Sequence, residues 1–440
     1  MRLVLAAVAV CSLAACVVNV QPQAQMCTEP APTGHAGDSL TYHHDVEPIL
    51  ASRCMRCHTA GGPAPFPLDS YAAVFTQKDA VKGAVSARVM PPWPPARCCH
   101  AYANSDALTD DELATVTGWI DQGALEGTPP AQPVVPLRRT LDRVDVQLAM
   151  PSAYTPKPKA GYTDDTRCFL LDWPMKETVY VTGLDIKPGY APQMHHALVL
   201  TASADDVKRL QQLDDADEGE GWSCPGGLLG AFKDGLGGSF FEAEQFANGL
   251  GHEIDPTDKV VLTMHYAPPA SGGFQPDQSA VMLRFQTQPT QKITTLSIFD
   301  PAWLAGGMFI PANKVTTVSY ADEFSQYNGG KGFVMHSVNL HMHERGKTGQ
   351  VAVLRKDGSR ECLLQIDNWD HAHQGDYQLA EDVKLYPGDR LLLSCTFDNT
   401  AGHQKIVNGQ LEKPHDLNWA EDQEMCAGFV TASELLPSGG

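Results

Sequence analysis

Lys259-Val260-Val261-Leu262-Thr263-Met264-His265-Tyr266 is the stretch on which the fold turns. It is a short apolar run, rich in β-branched residues at its start and bounded by Asp and Pro, and that pattern predicts a strand. The same texture recurs in Val179-Tyr180-Val181, Ala197-Leu198-Val199-Leu200, Val351-Ala352-Val353-Leu354 and Arg390-Leu391-Leu392-Leu393. Runs of this spacing from residue 150 onward indicate all-β sandwich architecture, and the roughly 290 residues available make two such domains, 151–286 and 287–440. No fixed-period repeat is present.

Upstream the texture is helical. Asp45 to Cys54 and Ser70 to Val89 carry helix-compatible spacing, and Thr109-Asp110-Asp111-Glu112 opens the run Leu113, Val116, Trp119, Ile120 as a capped helix. This predicts a small all-α domain over 41–128. A polar linker precedes it at 16–40, and a Pro-rich linker, beginning Pro129-Pro130, follows at 129–150. At the start, Arg2 followed by the apolar run Leu3 to Ala14 has the layout of a secretory signal over 1–15, too short to remain as a membrane span. Leu13-Ala14-Ala15-Cys16 resembles a bacterial lipoprotein box, which implies a lipid on Cys16; the alternative is an ordinary signal with an incidental Cys. The expectation is an exported protein, periplasmic or at the cell surface, meeting a bacterial membrane only through its lipid anchor.

The chain has 440 residues, 43% hydrophobic and 19% charged, enough to bury several cores, which excludes a disordered chain. Asp+Glu 52 against Lys+Arg 32 gives a formal charge of -20, which repels a phosphate backbone and argues against a nucleic-acid partner. The 12 Cys and 16 His point to an oxidising compartment and to metal.

Cys54-Met55-Arg56-Cys57-His58 is a C-x-x-C-H run. Its two thiols are spaced to form thioethers with haem vinyl groups, and His58 offers an axial imidazole. A redox C-x-x-C or half of a zinc site competes, but neither uses the adjacent His in this way. Met90, in Val89-Met90-Pro91-Pro92-Trp93, is the expected sixth ligand because the Pro pair fixes the backbone beyond it. His100 is its rival, and Met90 as core filling is a further reading. Residues Tyr42 to Gly127 resemble bacterial class I c-type cytochrome domains in length and in the order C-x-x-C-H then Met, which implies one covalently bound c-type haem.

Setting aside Cys11, Cys16, Cys54 and Cys57 leaves eight of the 12 Cys, enough for up to four disulfides in no unique pairing. A second metal is therefore expected on His. On a strand His341 and His343 project from one face about 7 Å apart at Cα, a chelating distance. His195 and His196 are adjacent, so a regular strand sends them to opposite faces; both can ligate only if the chain bends, as Pro192 permits. His371 and His373 form another H-x-H, read as standing behind a metal site or on the surface, with an adventitious metal site as the alternative. His43, His44, His252, His336, His403 and His415 have no partner spacing.

Taken in order, Met194-His195-His196, Leu262-Thr263-Met264-His265-Tyr266, Leu340-His341-Met342-His343-Glu344-Arg345-Gly346, Ser394-Cys395-Thr396-Phe397 and Glu424-Met425-Cys426 resemble the copper type II, ascorbate-dependent monooxygenases over roughly residues 160 to 432. The family includes peptidylglycine α-hydroxylating monooxygenase and dopamine β-monooxygenase. The resemblance implies two jelly-roll-like sandwich domains, each with one copper ion. His195, His196 and His265 would hold the electron-transfer copper; His341, His343 and Met425 would hold the oxygen-activating copper, where catalysis occurs. A thioether with two imidazoles suits Cu(I). Cys395 and Cys426 resemble a family disulfide that would steady Met425.

The implied function is oxidation of a C–H bond of a small organic substrate to an alcohol with O2. Electrons would come from an ascorbate-like reductant or a redox protein and be relayed through the fused haem. The alternative is a non-catalytic haem and copper electron carrier or copper-binding protein, against which Met425 weighs. Peptide-hydroxylating members carry an Arg two residues before the first His of the H-x-H pair and a Tyr three residues after the Cys of Met-Cys. Here those positions are Asn339 and Phe429, which argues against a peptide carboxylate and for a less polar substrate.

Overall fold

The computed structural model describes residues 25–62, 64–132, 134–159, 162–224, 233–239, 242–247, 249–269, 272–288, 291–371, 373–407, 410–420 and 423–436. The signal at 1–15, Cys16 and the linker up to residue 24 lie outside the described residues.

One nine-stranded sheet runs the length of the β region. Across it lie Val146–Ala149, Ala280–Gln286, Val179–Lys187, Leu250–Ile254, Gln291–Ile298, Ala427–Glu434, Phe333–His341 and Tyr377–Leu385, with Glu244–Gln245 pairing on Val179–Lys187. Two smaller sheets cover it. The five-stranded sheet places Lys259–Tyr266 between Asp165–Leu171 and Met194–Ala202. The four-stranded sheet is ordered Val315–Asp322, Arg390–Asp398, Gly346–Leu354, Arg360–Ile366. One apolar core, with Phe169, Leu184, Val199, Leu262 and Val281, fills the space under the five-stranded sheet. A second, with Met335, Leu340, Val351, Leu393 and Phe397, fills the space under the four-stranded sheet. The two halves share their backing sheet because Leu250, Gly251 and His252 pair in parallel with Gln291, Lys292 and Ile293.

This corrects the expected fold class of a small all-α c-type cytochrome followed by two all-β sandwiches. The protein is mostly β, with four α-helices among the described residues. Three of these are Glu47–Arg53, Tyr71–Ser86 and Asp110–Asp121, the last closed by the expected Thr109–Glu112 capping box. They do not make a closed all-α unit. Between the second and third helices the chain leaves them and pairs with the β region, through bridges Pro95↔Ile366 and Tyr102↔Leu379. Ala96 N–H donates to Gln365 O at 2.8 Å and Ala380 N–H to Ala101 O at 2.9 Å. Tyr102 is a member of the second β core, and Trp93 packs against it. The physical reason lies in the Pro-rich stretch 91–95: it cannot be helical, so the extended chain that contains it satisfies its backbone groups at an open sheet edge. The disulfide Cys99–Cys362 fastens that attachment, and Cys27–Cys98 ties the preceding arm to it. The adjacent Cys98 and Cys99 thus have different partners.

Candidate metal centres

The first candidate centre sits on two neighbouring strands of the five-stranded sheet. His196 and His265 are direct cross-strand partners, and the ladder slips between Met194 and His196, making His195 the extra residue of a β-bulge. The bulge supplies the bend that the adjacent His pair requires, because an inserted residue breaks the strict alternation of faces. The candidate ligand atoms of His195, His196 and His265 all lie within 4.8 Å of one another. Nδ1 of His195 is 3.2 Å from Nδ1 of His265. Two nitrogens on one tetrahedral ion with bonds near 2 Å are about 3.3 Å apart, so the pair is spaced for a shared ion. Nε2 of His265 lies 3.2 Å from Asp164 Oδ2; the carboxylate accepts that N–H and leaves Nδ1 with its lone pair. Burial, aided by the neighbouring His265 imidazole, holds His195 down to about 4 and His196 well below the usual imidazole range. Neutral imidazoles are the form that binds a metal.

The second centre lies at the end of Phe333–His341. The ring centroids of His341 and His343 are 5.0 Å apart. His341 Nδ1 donates to Gln374 Oε1 at 2.6 Å and His343 Nδ1 to the Gln423 carbonyl at 3.2 Å, so each ring keeps Nε2 for a metal. Burial lowers the pKa of both. His341 is paired with Ala427 across the strands, two residues after Met425 in the chain. Glu424, fully buried, accepts from the backbone N–H of His343 at 3.0 Å and of Arg345 at 2.8 Å, clamping the Met425 segment to the His343 segment. Cys395–Cys426 is a disulfide and adds a covalent tie beside Met425. Asn339 and Phe429 face each other across the same two strands.

A cavity of about 700 Å³ adjoins the first centre, and Cys54, Cys57, His58, Met90, His195, His373 and Gln374 all line it. Its size is that of a cofactor pocket. Cys54 and Cys57 are free thiols, whereas Cys168–Cys224 completes a set in which the other cysteines of the described residues are disulfide-bonded. Burial pushes Cys54 up to about 12. His58 Nδ1 donates to Phe66 O at 2.9 Å, leaving Nε2 for iron. Two free thiols near an imidazole with Nε2 open are the donor types that a covalent haem would use. His100 does not line the cavity; its Nδ1 bonds Ala101 O at 2.8 Å.

Sequence spacing alone passed over Gln374, Asp164 and the carbonyls of Phe66 and Gln423, which fix the ligand tautomers; no motif announces a lone acceptor brought in by the fold. His371 and His373 had a signal, the second H-x-H beginning just after Asp370. Elsewhere His252 is buried on Asp234 at 2.7 Å, and His336 bonds Asp382 and Ser433.

The fold thus brings His195, His196 and His265 into a cluster that could hold a metal ion and sets the rings of His341 and His343 side by side. Comparison with known proteins agrees for the second half: residues 302–432 match the family described as "Copper type II ascorbate-dependent monooxygenase, C-terminal domain". The chain is also similar to MOXD1 homolog 1 of Drosophila melanogaster, 27% identical over 109 residues, a match covering 25% of this chain and 14% of that protein. The family match supports the copper-monooxygenase likeness for the part of the chain that holds His341, His343 and Met425. Among solved structures, the infectious bursal disease virus VP2 subviral particle aligns at 11% identity over 68% of this chain and 84% of its own, with a TM-score of 0.16. A Paenibacillus xanthan lyase aligns at 11% identity over 71% and 28%, with a TM-score of 0.15. Likenesses this weak carry no argument.

Proposed function

We propose that the protein is an exported copper-dependent monooxygenase that hydroxylates a C–H bond of a small organic substrate with O2. The observation that carries this is the cluster of three imidazoles at His195, His196 and His265, and the family match over residues 302–432 supports reading His341, His343 and Met425 as the second ligand set. Copper at these sites would supply electron storage and O2 activation, and a haem held by Cys54, Cys57, His58 and Met90 would supply electrons drawn from an ascorbate-like reductant or a redox protein. The residues of the chain prepare this chemistry. Asp164 holds His265 with Nδ1 open, Gln374 and the Gln423 carbonyl hold His341 and His343 with Nε2 open, and the thioether of Met425 favours the cuprous ion. Asn339 is committed to the Gly375 carbonyl at 2.8 Å and Phe429 has no charge, so a substrate carboxylate finds no cation at these positions. This favours a less polar substrate than a peptide C-terminus. The four disulfides fit an oxidising compartment, and no helix of the described residues is long and apolar enough to cross a membrane.

The test is haem and metal quantification with Cu(II) resonance spectra on the purified protein, followed by O2 uptake against a panel of apolar substrates. One haem, two coppers and substrate-dependent O2 uptake with an alcohol product are expected. Zinc in place of copper would remove the reading. Haem and copper without substrate-dependent O2 uptake would leave a carrier instead of an enzyme.

A further inference from the structure

Segment 374–376 lies along strand Phe333–His341 and is joined to it by three bonds in succession. His341 Nδ1 donates to Gln374 Oε1 at 2.6 Å, Asn339 Nδ2 to Gly375 O at 2.8 Å, and Ser337 Oγ to Asp376 Oδ1 at 2.9 Å. Residues 337, 339 and 341 alternate onto one face of the strand, so the three bonds form one row that ends on a histidine of the second centre. At the far end of the row, Asn104 Nδ2 donates to Asp376 O at 2.8 Å and Asn104 Oδ1 accepts from the Gln378 N–H at 3.0 Å. That end also meets the first half. Asp376 Oδ2 is buried and meets no N–H donor among the described residues; the carboxyl's other hydrogen-bond partner is the side chain of Glu244, from the strand Glu244–Gln245. The seat of Glu244 depends on a glycine, since a Cβ on Gly237 would stand 2.1 Å from Glu244 Oε2. Ionised carboxylates only accept, so a hydrogen bond between two carboxyls requires that one of them carry a proton. Burial pushes Asp376 up to about 6, although Ser337, Glu244 and the charge of His252 act the other way. The cations on this side have anions of their own: Arg56 bonds Asp106 and Glu242, Arg139 bonds Glu242, His252 bonds Asp234, and Arg284 bonds Asp142. His195 and His373 line the same cavity as Glu244 and Asp376.

We infer that Glu244 of the first half is a positioning residue for His341 of the second: it shares one proton with Asp376, and that joint holds segment 374–376 against the His341 strand. Its bearing on a metal rests on the reading of His341 as a ligand. No covalent bond changes. One proton lies between a Glu244 oxygen and an Asp376 oxygen and leaves the pair with a single negative charge, and a hydrogen bond to a charged acceptor is stronger than one between neutral groups. Below about pH 6 a second proton neutralises Asp376, and the bond loses that charge.

The experiment uses the full-length protein, by infrared difference spectroscopy before copper is added and by competition with a chelator afterwards. At neutral pH the parent should show a protonated-carboxyl stretch from the pair, and the parent-minus-variant spectra for Glu244→Gln and Asp376→Asn should each contain that band. Glu424, which burial pushes up to about 8, contributes equally to parent and variants and cancels. Glu244→Leu should weaken copper at the second centre about tenfold and leave the first centre's Cu(II) spectrum unchanged. Glu244→Gln, whose amide still donates to Asp376, should stay within about twofold of the parent. Difference spectra without a protonated-carboxyl band would overturn the inference. So would a Glu244→Leu protein that binds copper at the second centre within about twofold of the parent, or one that loses copper from both centres alike, which would make Glu244 a support of the whole fold. A parent protein that takes up no copper at the second centre would overturn the proposed function itself, and the infrared band, which needs no metal, keeps the two failures apart.

Discussion

At His341 the side-chain carbonyl of Gln374 takes the Nδ1 proton at 2.6 Å, and this contact determines what the ring offers a metal. Replacing Gln374 with Leu removes the acceptor while keeping the bulk. Partners of this kind are typically worth 10–100-fold in metal affinity, so Gln374→Leu should weaken copper at the second centre by about that factor and leave the first centre's Cu(II) spectrum unchanged; competition with a chelator measures both. The buried imidazoles also make a pH prediction. Burial first, and neighbouring imidazoles second, hold His195 at about 4 and His196 well below its ordinary value. The unfolded chain therefore binds more protons than the native one between about pH 6.5 and 4, and stability rises with pH in that window. The copper-free protein should lose on the order of 1 kcal/mol per pH unit for each such imidazole as pH falls from 6.5 toward 4, and a flat Tm across that range in calorimetry would refute this. At this scale cysteine arithmetic and H-x-H spacing pointed to His as the candidate ligand type, whereas Met425 entered only through the family resemblance. The acceptors behind them were not, because Gln374 and Asp164 reach His341 and His265 from positions 33 and 101 residues away in sequence.

Among the elements, the Thr109–Glu112 capping box could be read directly from four residues, since a cap is a local contest for backbone N–H groups. The runs around Val181, Val199, Leu262, Val351 and Leu392 likewise announced strands by composition. The bulge at His195 could not be read, because only pairing with Lys259–Tyr266 reveals a residue without an opposite number. That distinction can be tested. His195→Ala should keep the fold and lose copper from the first centre. Deleting residue 195 should lose copper too, but it also pulls Gln193, which exchanges hydrogen bonds with the Gln275 backbone at 2.8 Å, out of place. The deletion should therefore lower stability by at least about 2 kcal/mol relative to His195→Ala in denaturant titration. Equal stabilities would mean that the ladder tolerates either register. The stretch 91–104 was illegible for a related reason: its prolines announced irregular chain, but nothing local told which sheet edge would receive Ala96 and Ala101.

For the whole molecule, division into an all-α unit and two sandwiches followed from changes of texture along the chain, and texture does not report which strands pair. The decisive pairing is parallel, between Leu250–His252 and Gln291–Ile293, and it makes one nine-stranded sheet the common back of both cores. Strand Gln291–Ile298 sits at this junction. It pairs with Ala427–Glu434 on its other side, Thr295 donates its N–H to Asp234 at 2.8 Å, and Ile293 is fully buried. A shared sheet predicts shared unfolding, since neither core keeps its backing when this strand leaves. Ile293→Asp places an unpaired charge at the junction and should cost at least about 3 kcal/mol. The loss should appear in both halves at once, as faster amide exchange in Lys259–Tyr266 and in Phe333–His341 alike. It should also release copper from both centres over the same denaturant range. If exchange rises in one half while the other stays protected, or if calorimetry of the parent resolves two independent β transitions, the two sandwiches are separate cooperative units and the common sheet is a contact between them, not their joint foundation.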